Sequence, residues 1–213
     1  MDRIAARRTL IEVAKRRHPV GAGSDVRALM EIPRSPLGVS ISEVFEGLPF
    51  VVIGEIATRE YMPERFTKGL DVIVAAEAFG ETAERLKRAG WIRGNDLVFP
   101  NSGLELRGAA WRNGDEELDL ICSDGAWADE AIATGQSKSG MPVISLPYLV
   151  LMKLDSGRTQ DTSDVGRMLA LTDESTLGQV REVVGRHGTD SCALEDLESL
   201  LTIGRWELGS ESS

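Results

Sequence analysis

The chain has 213 residues, 42% of them hydrophobic, which suits one domain with a sizeable core, and a formal net charge of -10. That charge argues against nonspecific nucleic-acid binding by the whole surface, and no apolar run approaches the roughly 20 residues needed to span a bilayer. The charged opening MDRIAARRTLIEVAKRRHPV lacks the apolar block of a secretory signal, and Cys122 and Cys192 show no paired spacing, so a cytoplasmic protein is expected.

In chain order, residues 3–17 read as an amphipathic helix, with Ile4, Leu10, Ile11 and Val13 at helical spacing. It ends at His18-Pro19, because the residue before proline avoids the helical region. Its cations, Arg3, Arg7, Arg8, Lys15, Arg16 and Arg17, form either a solvated face or a face for an acidic partner, and the solvated face is the commoner use of such a run. Ser24 can cap a second short helix through Met30, before the break from Pro33 to Gly38.

Phe50-Val-Val-Ile-Gly is a short apolar run ending in glycine, the pattern of a buried strand leading into a turn at Gly54. A helix from Glu55 to Tyr61 follows, stopped by Pro63. Leu70–Ala75 predicts a second buried strand, and Glu77–Ala89 a helix with Phe79, Ala83 and Leu86 inward and Gly90 at its end. Strands are expected at Leu97–Phe99, Leu104–Trp111 and Leu118–Cys122, with Asn113-Gly114 signalling a hairpin between the last two. From Ala126 the pattern is helical: Ala126–Ala133, Pro147–Asp155, Thr162–Leu171, Ser175–Arg186 and Leu194–Ile203. The scattered Trp91, Trp111, Trp127 and Trp206 are expected to pack in the core. His18 and His187 have no metal-ligand spacing, which argues against zinc.

This order predicts an α+β fold. A helical extension occupies residues 1–46, a small mixed β-sheet flanked by helices occupies 47–145, and a helical C-terminal part occupies 146–208.

Two residues break the apolar pattern. Asp71 sits within LDVIVA and Asp119 within ELDLI, where an ionised carboxylate is costly unless it is paired, hydrogen-bonded or bound to a cation. Strand alternation sends each away from its apolar neighbours. Either they face water at strand edges, or they form a site for a divalent metal and a phosphate. Magnesium takes one or two carboxylates and lets substrate phosphates complete its octahedron. A helix N-terminus after Gly54 would offer backbone N–H groups to a phosphate.

The stretch FVVIGEIATREYMPERFTKGLDVIVA resembles the core motif of nucleotidyltransferase-fold proteins, in particular the AbiEii-like and minimal nucleotidyltransferase group. There a strand runs into Gly-Gly or Gly-Ser, then a helix, then an Arg-x-Thr-x-Asp-hydrophobic-Asp strand, and Arg65, Thr67 and Asp71 match by position. ELDLICSDG resembles the strand carrying the third carboxylate, Asp119. LPYLVLMKLDSGRTQDTSDVGRML resembles the helical segment of AbiEii-like members, with Lys153, Arg158, Asp161 and Asp164 in the recurring positions. The likeness spans roughly residues 48 to 170.

The resemblance implies a nucleotidyltransferase-like fold and transfer of a nucleotidyl group from an NTP, with RNA or a protein as acceptor. It implies Asp71 and Asp119 as catalytic Mg2+ ligands, and Gly54, Glu55, Arg65, Thr67 and Lys153 as nucleotide-binding residues. Two departures stand against this. Gly69 occupies the place of a metal-ligand aspartate, and Glu55 follows Gly54 where the family has glycine or serine. Glu55 can replace the lost ligand, mark a site released from phosphate binding, or simply favour the helix dipole. The alternative implied by these departures is a catalytically inactive module of the same fold, antitoxin-like within a toxin–antitoxin pair or binding another protein partner. The resemblance implies that Lys153 contacts a nucleotide phosphate, where a cation compensates the anionic ligand. The alternative is an ion-pair network locking helix to helix, which Arg158, Asp161 and Asp164 fit by spacing on one helix face, and for Arg158 and Asp164 the functional and structural readings are balanced.

Overall fold

The structure is a computed structural model that describes residues 8, 39–62, 69–138 and 141–209. The helices expected over 3–17 and 24–30, apart from Arg8, lie outside the described residues, as do Arg65 and Thr67. By their contacts the described residues form two compact units, one built on a sheet and ending at Ser145, the other helical and starting at Leu146, joined there by Arg8, Tyr61 and Met62.

The first unit opens with α1 (Val39–Val44), then β1 (Phe50–Ile53), α2 (Gly54–Thr58) and β2 (Gly69–Ala75). A 3-10 turn over Ala76–Ala78 leads into α3 (Phe79–Arg88). β3 (Ile92–Leu97), β4 (Leu106–Asn113) and β5 (Glu116–Ser123) follow, then α4 (Ala126–Ala133), β6 (Gln136–Lys138) and β7 (Met141–Val143). Among the described residues these strands form one seven-stranded mixed sheet in the order β3-β4-β5-β2-β1-β7-β6. β2 is antiparallel to β1 but parallel to β5. Its run Leu70, Val72, Ile73 and Val74 is fully buried, so a strand flanked on both sides reads as nearly continuous apolar sequence.

Several boundaries differ from the sequence expectation. The third strand is Ile92–Leu97 rather than Leu97–Phe99. As an edge strand exposed at Ile92 to Asp96, it has no apolar period to reveal it. The helix after β1 is five residues long and does not reach Tyr61, because Glu60 N bonds to Ala57 O at 3.1 Å and tightens the last turn. In α3 the inward positions are Thr82 and Leu86, with Phe79 and Ala83 only partly covered. Thr82 tolerates full burial because its hydroxyl donates to Ala78 O at 2.8 Å. The hairpin forms, but its two turn residues are Gly114 and Asp115, since Asn113 pairs with Glu116. Gly114 at φ +60 supplies the left-handed first position that such a turn requires.

The second unit contains α5 (Leu146–Ser156), α6 (Thr159–Ala170), α7 (Glu174–His187) and α8 (Ala193–Glu207). α5 is buried nearly all round and packs against both α6 and α7. Asp173 caps α7 by accepting from Thr176 N at 2.9 Å. α6 and α8 cross at Gly166 and Gly204, so close that a Cβ on Gly204 would lie 1.9 Å from Gly166 O. Trp91, Trp111 and Trp127 are buried as expected, whereas Trp206 is 41% exposed. Arg8 pairs with Glu195 at 2.8 Å and with the buried Asp196 at 3.8 Å. Among the described residues no helix is long and apolar enough to cross a membrane.

Candidate functional site

The pairing of β2 with β5 decides where the two strand aspartates lie. Asp71 is in register with Asp119, and residues in register on parallel neighbours share a face. The backbones are therefore about 4.8 Å apart at this point, and the two carboxylates stand side by side on one face of the sheet. Both are half-buried, at the end of the face where covering residues give way to solvent. Burial, and then the negative charge of Glu117, push the Asp119 carboxyl above the ordinary carboxylate range.

Two further rows set the neighbourhood. Ala110 on β4 lies opposite Asp119, and Ile53, the last residue of β1, lies opposite Asp71. One row along, Arg112, Glu117 and Gly69 align across β4, β5 and β2 on the same face. Glu117 was not among the residues that sequence reasoning selected, although the alternation that brings Asp119 to this face brings Glu117 to it as well.

Gly54 follows β1 and begins α2 directly against Asp71. Its φ is +66, and a Cβ there would lie 1.8 Å from Asp71 Oδ2 and 2.7 Å from its Cγ. Glycine is required twice, by the left-handed backbone and by the closeness of the carboxylate. Gly54→Ala is expected to displace Asp71 and to cost about 1–2 kcal/mol for the backbone conformation alone. Urea denaturation measures that cost; a variant as stable as the native chain would show that Gly54 does not confine Asp71.

Glu55 lies in the first turn of α2, half-buried. Among the described residues, no three His, Cys, Asp or Glu side chains gather closely enough to hold a metal ion, and Asp71, Asp119 and Glu55 form no such group. What the described residues do present is a pair of hard carboxylate donors on adjacent strands, with the Asp71 carboxylate packed directly against the backbone of Gly54. That donor set fits a magnesium ion which takes one or two carboxylates and leaves its other positions to phosphate and water.

Lys153 lies in the helical unit on α5, 7% exposed, and donates to Asp161 Oδ1 at 2.8 Å and Asp164 Oδ2 at 2.7 Å. Arg158 Nε, on a largely exposed side chain, donates to Asp161 Oδ2 at 2.6 Å, and Ser156 donates to the same oxygen. Burial opposes charge on both Lys153 and Asp161. Their mutual attraction wins, holding the lysine above and the aspartate below their ordinary values. Asp161 and Asp164, three apart at the start of α6, close on this ammonium from one helix face.

No family model and no curated protein sequence matches the chain. Among solved structures, it is similar to an H. pylori protein proposed to be a nucleotidyltransferase, at 17% identity and TM-score 0.44, covering 87% of this chain and 94% of that one. It is also similar to JHP933 from Helicobacter pylori, at 16% identity and TM-score 0.42 over 89% and 94% of the two chains. A third similar structure is ANT(2")-Ia in complex with adenylyl-2"-tobramycin, at 19% identity and TM-score 0.43 over 78% and 93%. Scores at this level leave the fold family to be judged from the chain's own residues.

Proposed function

We propose that this chain is a nucleotidyltransferase-fold protein that transfers a nucleotidyl group from an NTP to an acceptor with Mg2+. The observation that supports this most strongly is the alignment of Asp71 with Asp119 beside Gly54, each contributed by one of the stretches that resemble the family's motifs. Asp71 and Asp119 would hold the ion, and Gly54 would let the turn into α2 pass directly against Asp71. Bound magnesium would neutralise the triphosphate and activate the attacking hydroxyl. Arg65 and Thr67 are assigned to the nucleotide by motif position, with RNA or a protein as acceptor. Lys153 is assigned to the frame of the helical unit, because Asp161 and Asp164 already enclose its ammonium.

The test is incorporation of label from radioactive NTPs into RNA or protein in the presence of MgCl2. Asp71→Asn is expected to reduce incorporation by about a hundredfold or more, because it removes a direct metal ligand. Incorporation unaffected by Asp71→Asn would place the chemistry elsewhere.

Gly69 favours a second reading, a module that kept the fold and lost catalysis. Among the described residues, a Cβ at Gly69 would meet nothing within 4 Å, so an aspartate there displaces none of them. If Gly69→Asp binds NTP in a metal-dependent way and the native chain does not, the inactive module is the correct reading. Native incorporation excludes it.

A further inference from the structure

Arg112 on β4 has carboxylates within reach and pairs with none of them. Glu117 stands opposite it in register, and Asp119 is its diagonal neighbour, about 7–8 Å away and within range of a long side chain. Yet among the described residues Arg112 makes no hydrogen bond and no ion pair. Every other arginine or lysine whose side chain is described is engaged, as Arg93 is by Asp96, Arg107 by Asp124 and Arg88 by the backbone oxygen of Glu84. On the other side of Arg112, Ile92 lies opposite it on β3 and on the same face, 70% exposed. A free guanidinium and a bare aliphatic side chain thus stand together, one row from Asp119 on the face that carries the carboxylate pair.

We infer that Arg112 and Ile92 receive single-stranded RNA, the guanidinium holding a backbone phosphate and Ile92 lying against a ribose or base. This narrows the acceptor to RNA and, for that role, rests on the reading of the chain as a nucleotidyltransferase. A guanidinium matches the oxygens of a phosphate bidentately. A hydroxyl within RNA comes with a phosphate close by, whereas a protein hydroxyl carries no obligatory anion, so an unpaired arginine beside the carboxylates suits RNA. The NTP belongs on the opposite flank. The strand order β4-β5-β2-β1 puts Arg112 on the side of Asp119 away from Gly54 and α2. Arg65 and Thr67, assigned to the nucleotide by motif position, follow α2 in the chain. The net charge of -10 confines the contact to this place rather than spreading it over the surface.

Fluorescence anisotropy of a fluorescein-labelled oligouridylate dodecamer, titrated with the full chain in EDTA over a range of NaCl, tests this without metal or turnover. Arg112→Gln is expected to weaken binding about tenfold, as loss of a charge-assisted hydrogen bond does, with an unchanged melting temperature. It should also lower the salt slope by about 0.7, the value for one phosphate on a single strand. Ile92→Ser should weaken binding severalfold at an unchanged slope. Arg107→Gln, on the opposite face of β4, should stay within about twofold, since Asp124 already engages that charge. The inference is overturned if the native chain does not bind the oligouridylate, if Arg112→Gln and Arg107→Gln weaken it equally, or if Arg112→Gln weakens ATP binding and spares the RNA. RNA binding that depends on Arg112 in a chain that transfers no label keeps the RNA surface and removes the transferase reading.

Discussion

Gly204→Ala is expected to destabilise the helical unit by about 3 kcal/mol or more, at the upper end of what overpacking a tight interface costs. The added methyl would sit 1.9 Å from Gly166 O and 2.4 Å from its carbonyl carbon. These are backbone atoms of α6, which cannot turn aside as a side chain can, so α6 and α8 must separate. Separation uncovers apolar residues along both helices, among them Val165, Met168 and Leu169 on α6 and Leu197, Leu200 and Leu201 on α8. The control is Gly178→Ala on α7, an exposed helical position where a Cβ meets nothing within 4 Å among the described residues. There the substitution should stabilise by about 0.4–1 kcal/mol, by restricting the unfolded chain. Urea denaturation of both variants decides the matter: equal midpoints would mean that α6 and α8 do not cross as described.

Lys153→Met is expected to cost about 3–5 kcal/mol, the usual consequence of stranding buried charge. The methionine fills the volume of the lysine stem but leaves Asp161 and Asp164 close together without their shared cation. Adding Asp161→Asn and Asp164→Asn should recover much of the loss, because the charges are then removed together. The pH profile provides an independent check. Asp161 has a depressed pKa in the folded chain, so its contribution is present above the ordinary carboxylate range and is lost as pH falls through the lowered value. Lys153 has a raised pKa, so its contribution is complete below the ordinary lysine value and is lost as pH rises through the raised one. The native chain should therefore hold a plateau of stability between these limits. The single variant, with two buried carboxylates facing each other, should instead gain stability on acidification. Identical profiles for the two proteins would refute the buried network.

These two expectations differ in how far the sequence announced them. The lysine and both aspartates were visible as a helical cluster, with the lysine favoured for a phosphate, and only their distances show one ammonium shared by two carboxylates. The crossing of α6 and α8 was not legible, because a glycine within a helical pattern does not reveal which backbone it faces. In the sheet, Phe50–Ile53 and Leu70–Ala75 stood out as short apolar runs, since strands covered on both faces must be apolar throughout. β3 reads IRGNDL and is exposed along most of its length, so no periodic signal marks it. β6 and β7 are three residues each, QSK and MPV, too short for any pattern, and pairing with β1 is what makes them strands. The same limit applies to the site. Alternation put Asp71 and Asp119 on polar-facing positions, but their adjacency depends on a parallel register between strands far apart in the chain.

That distant register also has a consequence for how the chain acquires its acidic face. The β4–β5 hairpin can close early through a two-residue turn, and β1 with β2 belongs to a separate, earlier stretch of sequence. Joining β2 to β5 requires the long segment between them to be looped back, which is slow because its entropy is surrendered before any contact compensates. The aspartates thus come together only at this late docking event. A nascent chain stalled before Asp119 has left the ribosome would hold one half of the pair and no site.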